Sequence, residues 1–148
     1  MRIALGSDHG GFGLKRLVMQ ILTDRDVEVV DLGTDDTTSV DYPDFAQAVA
    51  SRVSDGSADQ GILVCTSGIG MSIAANRFPR VRAALCVSPG MAEMARVHND
   101  ANVLVLSGRF VDDDDAAGIV RTWLDNDYSG EARHDRRIRK ISDAIRQI

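Results

Sequence analysis

Gly61-Ile62-Leu63-Val64-Cys65-Thr66-Ser67-Gly68-Ile69-Gly70-Met71-Ser72-Ile73-Ala74-Ala75-Asn76 is the stretch whose reading decides the fold. Ile62 to Val64 is a short apolar run rich in β-branched residues, the pattern of a buried strand. Helix-forming residues follow two glycines, so the chain turns sharply and enters a helix near Met71. Between strand and helix lie a cysteine, two hydroxyls and a run of backbone N–H groups that no helical turn satisfies. Orphan donors and the helix dipole both favour an anion at such a turn. A thiol at the same turn is expected to ionise more easily, and a thiolate serves as base or nucleophile. The stretch therefore reads as strand, active loop and helix.

Outward from it the same alternation repeats. Ile3 to Leu5 is a strand closed by Gly6-Ser7-Asp8-His9-Gly10-Gly11. Leu14, Leu17, Val18, Ile21 and Leu22 then recur at helical spacing over residues 12–24. Val27 to Leu32 is a second strand, and Thr34 to Asp41 a polar loop. A helix begins at Tyr42-Pro43-Asp44, with proline in its tolerated first turn, and stops at Asp55-Gly56. After the quoted stretch, Ala83 to Val87 and Ala101 to Leu106 read as strands. Helices are expected from Ser88-Pro89-Gly90 to about Val97, from Asp112 to Leu124, and from about Ala132 to Ile148. Strands that are continuous apolar runs, alternating with helices, imply a parallel sheet covered on both faces. The expected fold is α/β: a single doubly wound, Rossmann-like domain over residues 1–148 with about five parallel strands. Ligands in such folds sit beyond the carboxyl ends of the strands, which places Asp8-His9, Cys65-Thr66-Ser67 and the residues after the fifth strand at the site.

Composition bounds the function. The 148 residues are 44% hydrophobic, 26% charged and only 5% aromatic, as in a globular protein with an aliphatic core. A net charge of -5 argues against general nucleic-acid binding. Residues 131–148 hold six Lys/Arg against three Asp/Glu, so +3 sits there and -8 on residues 1–130. The two cysteines, Cys65 and Cys86, form neither a disulfide framework nor a CxxC pattern. No apolar run approaches the ~20 residues that span a bilayer, and the start of the chain enters a strand without signal-peptide form. A cytoplasmic protein with no metal, no cofactor and no membrane association is the expectation.

The candidate residues each carry a plainer reading. Free cysteine is most often a small buried hydrophobe, which suits Cys86 inside a strand; beside hydroxyls and a helix start, both readings of Cys65 stay open. Gly68-x-Gly70 lacks the third glycine of the dinucleotide fingerprint, since Ile73 stands there, and Gly11-x-Gly13 fails in the same way at Arg16. Asp31, ending a strand, would still suit a ribose hydroxyl, so a nucleotide or sugar-phosphate sensor is an alternative. His9 and His98 sit in polar clusters, as caps or as acid/base and anion contacts near neutral pH. His134, within the basic segment, reads as a surface residue. Arg133 and Arg137, four apart, share a helix face that is either solvated or a guanidinium clamp for phosphate, which Arg109 would be placed to join. Asp112 to Asp115 look like a metal cluster, but acidic residues at a helix start complement its dipole.

Four segments together are more specific than any of these alone: Gly6-Ser7-Asp8-His9-Gly10-Gly11-Phe12, Asp41-Tyr42-Pro43-Asp44, Cys65 through Asn76, and His98-Asn99-Asp100-Ala101-Asn102-Val103-Leu104. In this order they resemble the type B ribose-5-phosphate isomerases, a family shared with galactose-6-phosphate isomerase subunits and allose-6-phosphate isomerases. The resemblance implies a metal-independent aldose–ketose isomerase acting on a sugar phosphate through an enediolate. It implies a homodimer, with a tetramer left open, whose sites lie at the subunit interface and whose last helix (about 132–148) contributes to that interface. Carried over, Cys65 moves the proton between C1 and C2. Ser67 and His98 assist ring opening with Asp8 nearby. Asn99 and the N–H groups of Gly68, Ile69 and Gly70 stabilise the enediolate. His9, Arg109, Arg133 and Arg137 hold the phosphate, some from the partner.

One branch of the family places glutamate where Met71 stands and lacks the cysteine; methionine accepts no proton, so the resemblance implies that Cys65 is the base here. The family usually has glycine then threonine after the cysteine, whereas this chain has Thr66 and Ser67. Ser67 keeps the hydroxyl without the methyl that fixes its rotamer, and Thr66 adds bulk beside the sugar. Ribose 5-phosphate and ribulose 5-phosphate are the expected pair, with another pentose or hexose, phosphorylated or free, as the alternative.

Overall fold

The computed structural model describes residues 1–146; the expected helical positions 147 and 148 lie outside the described residues. In chain order the elements are β1 (Arg2–Ser7), a 3-10 turn (His9–Gly11), α1 (Phe12–Asp24), β2 (Glu28–Asp31), α2 (Tyr42–Asp55), β3 (Gln60–Cys65) and α3 (Ile69–Ala75). There follow β4 (Ala83–Leu85), α4 (Pro89–Asn99), β5 (Val103–Ser107), α5 (Asp113–Asp125) and α6 (Ala132–Arg146). Helix starts carry their own caps: Ser88 Oγ accepts the Met91 N–H and Asp112 Oδ1 the Asp115 N–H. The acidic run is thus the cap and first turn of α5.

The five strands are all parallel, in the order β2-β1-β3-β5-β4. Alternation along the central strands sorts the core into two layers. Ile3, Leu5, Ile62, Val64, Leu104 and Leu106 face α1, α4 and α5, where Trp123 is fully buried. Ala4, Leu63, Cys65, Val103 and Val105 face α2 and α3. Each fully buried Leu or Ile contributes about 1.5–3 kcal/mol over an exposed one, so the sheet is the main source of cohesion. From β1 the chain steps one way to β2 and later the other way to β3, so the winding reverses between β1 and β3. Their carboxyl ends carry Asp8 and Cys65, the place where such sheets leave a crevice.

Two features lie away from that crevice. Lys15 is buried on α1 and its ammonium reaches Asp31 Oδ1 and Oδ2 at 2.8 and 2.9 Å and the Thr34 carbonyl at 2.7 Å. Asp31 also accepts the Gly33 N–H at 3.0 Å. Its carboxylate is therefore spent on tying β2 to α1, and not free for a ribose hydroxyl. Asp31→Ala is expected to cost about 2 kcal/mol in urea unfolding, because a buried ammonium loses its counter-charge while the carboxylate side is partly solvated. At the other edge, β4 has only three residues, all half-buried, and among the described residues no strand covers its outer side.

Candidate active site

Asp8 and Cys65 meet at the switch point. Both are buried, with 4% and 5% of their surface exposed. The Cys65 thiol donates to Asp8 Oδ2 at 3.2 Å, and Asp8 Oδ1 accepts the Gly11 N–H at 2.9 Å. The Asp8 N–H donates to the Val64 carbonyl at 3.2 Å, which stitches the end of β1 to β3. Gly11 lies so close to Val64 and Cys65 backbone that any Cβ would overlap them, so this turn tolerates no side chain there.

The loop after Cys65 is held from both sides. Gly68 has φ 80°, the left-handed conformation that favours glycine, and turns the chain into α3. Ser67 Oγ accepts the Ile69 N–H at 3.3 Å. Across the sheet, Gly108 N–H donates to the Cys65 carbonyl at 2.8 Å and Arg109 N–H to the Thr66 carbonyl at 3.0 Å. Ser107 Oγ donates to that same Thr66 carbonyl at 2.8 Å. Arg109 is thereby anchored by its backbone beside the loop with its side chain exposed. The Tyr42 ring lies over Gly70, leaving no space for a Cβ there. His9 is half-buried, and its Nδ1 accepts the Val40 N–H at 3.2 Å, so the neutral ring carries its proton on Nε2.

The electrostatics of the thiol correct one expectation. Burial pushes the Cys65 thiol up from the ordinary cysteine value; backbone N–H groups of Gly68 and Ser67 pull it down, and Asp8 pushes it up again. The balance is upward, so the resting protein holds a thiol and not the easily ionised sulfur that a loop before a helix suggests. Cys86 is 1% exposed and burial pushes it up to about 11, as befits a core residue. Met71 is fully buried in the core.

His98 and Asn99 lie elsewhere. They end α4, and the Asn99 carbonyl accepts from Arg82 Nε at 3.0 Å, just before β4 begins. Val103 starts β5 shortly afterwards, whereas Cys65 pairs in register with Ser107 at its far end. Four strand steps, roughly 13 Å at 3.3 Å each, separate the two levels. The chain thus brings together Asp8, His9, Cys65, Ser67, Gly68, Ile69, Gly70 and Arg109. It gathers His98, Asn99, Arg133 and Arg137 at the opposite end of the sheet.

A residue read as surface belongs to this second group. His134 is only 6% exposed and its ring stacks on His98, centroids 4.6 Å apart and planes at 17°. Its Nε2 is buried with no hydrogen-bond partner among the described residues. Burial, and then the nearby charge of Arg133, hold its pKa below the usual histidine range. The signal was in the spacing: His134, Ile138, Ile141 and Ile145 recur every three or four residues as a stripe on α6, of which His134 is buried and Ile141 half exposed. Arg133 and Arg137 flank that stripe and are exposed, Arg133 bonded to Glu131 at 2.8 Å. Among the described residues no three His, Cys, Asp or Glu side chains converge as a metal-ligand set.

Buried thiol, carboxylate, converging loop N–H groups and nearby cations are the parts that proton transfer beside a carbonyl requires. Known proteins are similar to this chain along nearly its whole length. A sequence profile described as ribose/galactose isomerase matches residues 3–141. Ribose-5-phosphate isomerase B of Escherichia coli is 45% identical over 146 residues, covering 99% of this chain and 97% of that one. The solved structure of Clostridium thermocellum ribose-5-phosphate isomerase B superposes with a TM-score of 0.97 at 48% identity, covering 99% of both chains. That of Mycoplasma genitalium, which has ribulose 5-phosphate bound, gives 0.94 at 43% identity, covering 99% of this chain and 97% of that one. Motif order, full-length similarity and a shared backbone agree that this chain belongs to the ribose/galactose isomerase family.

Proposed function

We propose that the protein interconverts ribose 5-phosphate and ribulose 5-phosphate, with Cys65 moving the proton between C1 and C2 through an enediolate. The observation that carries this reading is the Cys65–Asp8 contact at the reversal of the sheet, where the loop turns through Gly68 into α3. Proton abstraction beside a carbonyl needs a fixed base and donors aimed at the oxygen where charge develops. Sulfur at the end of β3 is the base, and the backbone from Gly68 to Gly70 supplies donors. Family relatives that act on, or bind, these pentose phosphates support the substrate.

In this reading the site is completed by a second copy. His98 for ring opening, Asn99 for the enediolate, and Arg133 and Arg137 for the phosphate come from the partner, facing Asp8, His9, Cys65, Ser67 and Arg109 of the first chain. The open edge of β4 and its surroundings support the association. Ile69, Ile73, Met91 and Met94 are 43–58% exposed apolar side chains around it. A cavity of about 370 Å³ beside the edge is lined by Ala83, Ala84, Asn99, Ile141 and Ile145, among others. An apolar strand edge of this kind requires a cover, and an isologous dimer supplies one. No described helix is long and apolar enough to cross a membrane, in keeping with a cytoplasmic enzyme.

Arg137→Ala is expected to raise KM for ribose 5-phosphate about tenfold or more, with a smaller change in kcat, because a phosphate contact serves ground and transition states alike. Steady-state kinetics at fixed ionic strength test it, and an unchanged KM would return that helix face to plain solvated surface. The reading as a whole is tested by a substrate panel, following aldose-to-ketose conversion for free and phosphorylated pentoses and hexoses. Ribose 5-phosphate should give the highest kcat/KM. Turnover of a different sugar alone would reassign the substrate to the bulk of Thr66, which is exposed beside Cys65 and fills the space over Gly10.

A further inference from the structure

The resemblance groups Asp8 with the ring-opening residues, but the geometry gives it a different partner. We propose that Asp8 and Cys65 form a one-proton dyad, in which the Asp8 carboxylate takes the thiol proton and so readies the sulfur to abstract the sugar proton. The catalytic half of this inference rests on the isomerase reading; the dyad itself rests on the contact alone.

Asp8 has no ion-pair partner among the described residues, and it is buried. One oxygen is committed to the Gly11 N–H and the other meets the sulfur at 3.2 Å. Two acidic groups at this distance do not both ionise, as neighbouring carboxylates show, so one proton is shared between them. Donors are arranged for either position of that proton. The Gly11 N–H stabilises a charged carboxylate, and the Ser67 and Gly68 N–H groups stabilise a charged sulfur. The pair carries one negative charge in both cases, so moving the proton within it places no additional charge in the buried site.

The cycle balances. The S–H bond breaks as an O–H bond forms on Asp8, leaving thiolate and carboxylic acid. The thiolate takes the proton from C2, and the C–H electron pair enters the enediolate. The hydroxyl proton on O2 passes to O1 within the enediolate, the re-formed thiol delivers the carbon-bound proton to C1, and Asp8 then returns its own proton to the sulfur. No oxidant, metal or further base is consumed.

The test is Asp8→Asn in the full-length protein, since asparagine keeps an oxygen for the Gly11 N–H. Two readouts should move in opposite directions. Alkylation of Cys65 by iodoacetamide near neutral pH should accelerate about tenfold, because the like charge is gone. Isomerisation of ribose 5-phosphate should fall about a hundredfold or more, because the proton acceptor is gone. Cys86 does not confuse the label, being buried and poorly ionised. Alkylation that is unchanged or slower would overturn the dyad, and so would turnover at the wild-type rate. If the wild-type protein isomerises no sugar, the functional reading fails while the alkylation rates still decide the dyad. Should the variant not fold, the S–H stretching band of the wild-type protein decides. Two Raman bands are expected, with that of Cys65 displaced to lower frequency by its carboxylate; coincident bands would overturn the contact.

Discussion

Cys65→Ala is expected to lower kcat for ribose 5-phosphate by about 10²–10⁴-fold and to leave KM within about twofold. The magnitude follows because Asp8 and Met71, the residues that would have to replace the sulfur, are both buried. Asp8 is held by Gly11 at one oxygen and points its other at the position the sulfur vacates, and Met71 is buried in the core. The small effect on KM follows because phosphate and hydroxyl contacts, which bind the ground state, lie on other residues. Thermal unfolding should confirm that the fold survives, with a loss of about 1 kcal/mol for the small cavity. Steady-state kinetics in both directions, with the variant expressed in a host lacking its own isomerase, supply the measurement. Full activity in Cys65→Ala would remove the sulfur from the mechanism and with it the proposed reaction path.

Mixing two inactive variants is expected to restore activity. Cys65→Ala and His98→Ala homodimers are each expected to be nearly inactive. A dimer with one chain of each type has one site carrying both substitutions and one site carrying neither. Random exchange of subunits makes half the dimers mixed, so about a quarter of wild-type activity returns. The arithmetic depends on the two groups coming from different chains, as their separation by the length of β5 supports. If each chain held its own complete site, mixing would return nothing. Unfolding the two proteins together and refolding them is the direct assay, with the separately refolded variants as the baseline.

These outcomes join the sheet to the chemistry. A parallel sheet whose winding reverses between β1 and β3 places two strand ends side by side with no connection between them. The residues leaving those ends, Asp8 and Cys65, therefore touch despite their separation of 57 positions. Short loops with glycines at Gly11 and Gly68 keep the approach close. The opposite end of the sheet carries the C-terminus of α4 and the start of α6, where His98 and His134 stack. In the proposed dimer these two ends of one chain would meet their counterparts across a two-fold axis.

Much of this was legible from residue order. Continuous apolar runs such as Ile62 to Val64, alternating with amphipathic spacings such as Leu14 to Leu22, dictate a parallel sheet between helical layers, because only that arrangement buries both faces of the strands. Gly68 and Gly70 locate the turn at Cys65, and the order of the motifs identifies the family. Tertiary structure alone decided the rest. Strand order is set by packing of distant segments, so the β1–β3 reversal and the Asp8–Cys65 contact have no local signature. The ionisation of Cys65 was misjudged from its loop, because desolvation depends on everything packed around the sulfur and a carboxylate from another strand adds to it. His134 was hidden for the opposite reason: its stripe is visible at helical spacing, but a basic segment masks it until α4 supplies the ring it stacks on. Local sequence determines which residues form elements and which carry chemistry. Which of them meet depends on free energies of burial and charge that only the assembled chain defines.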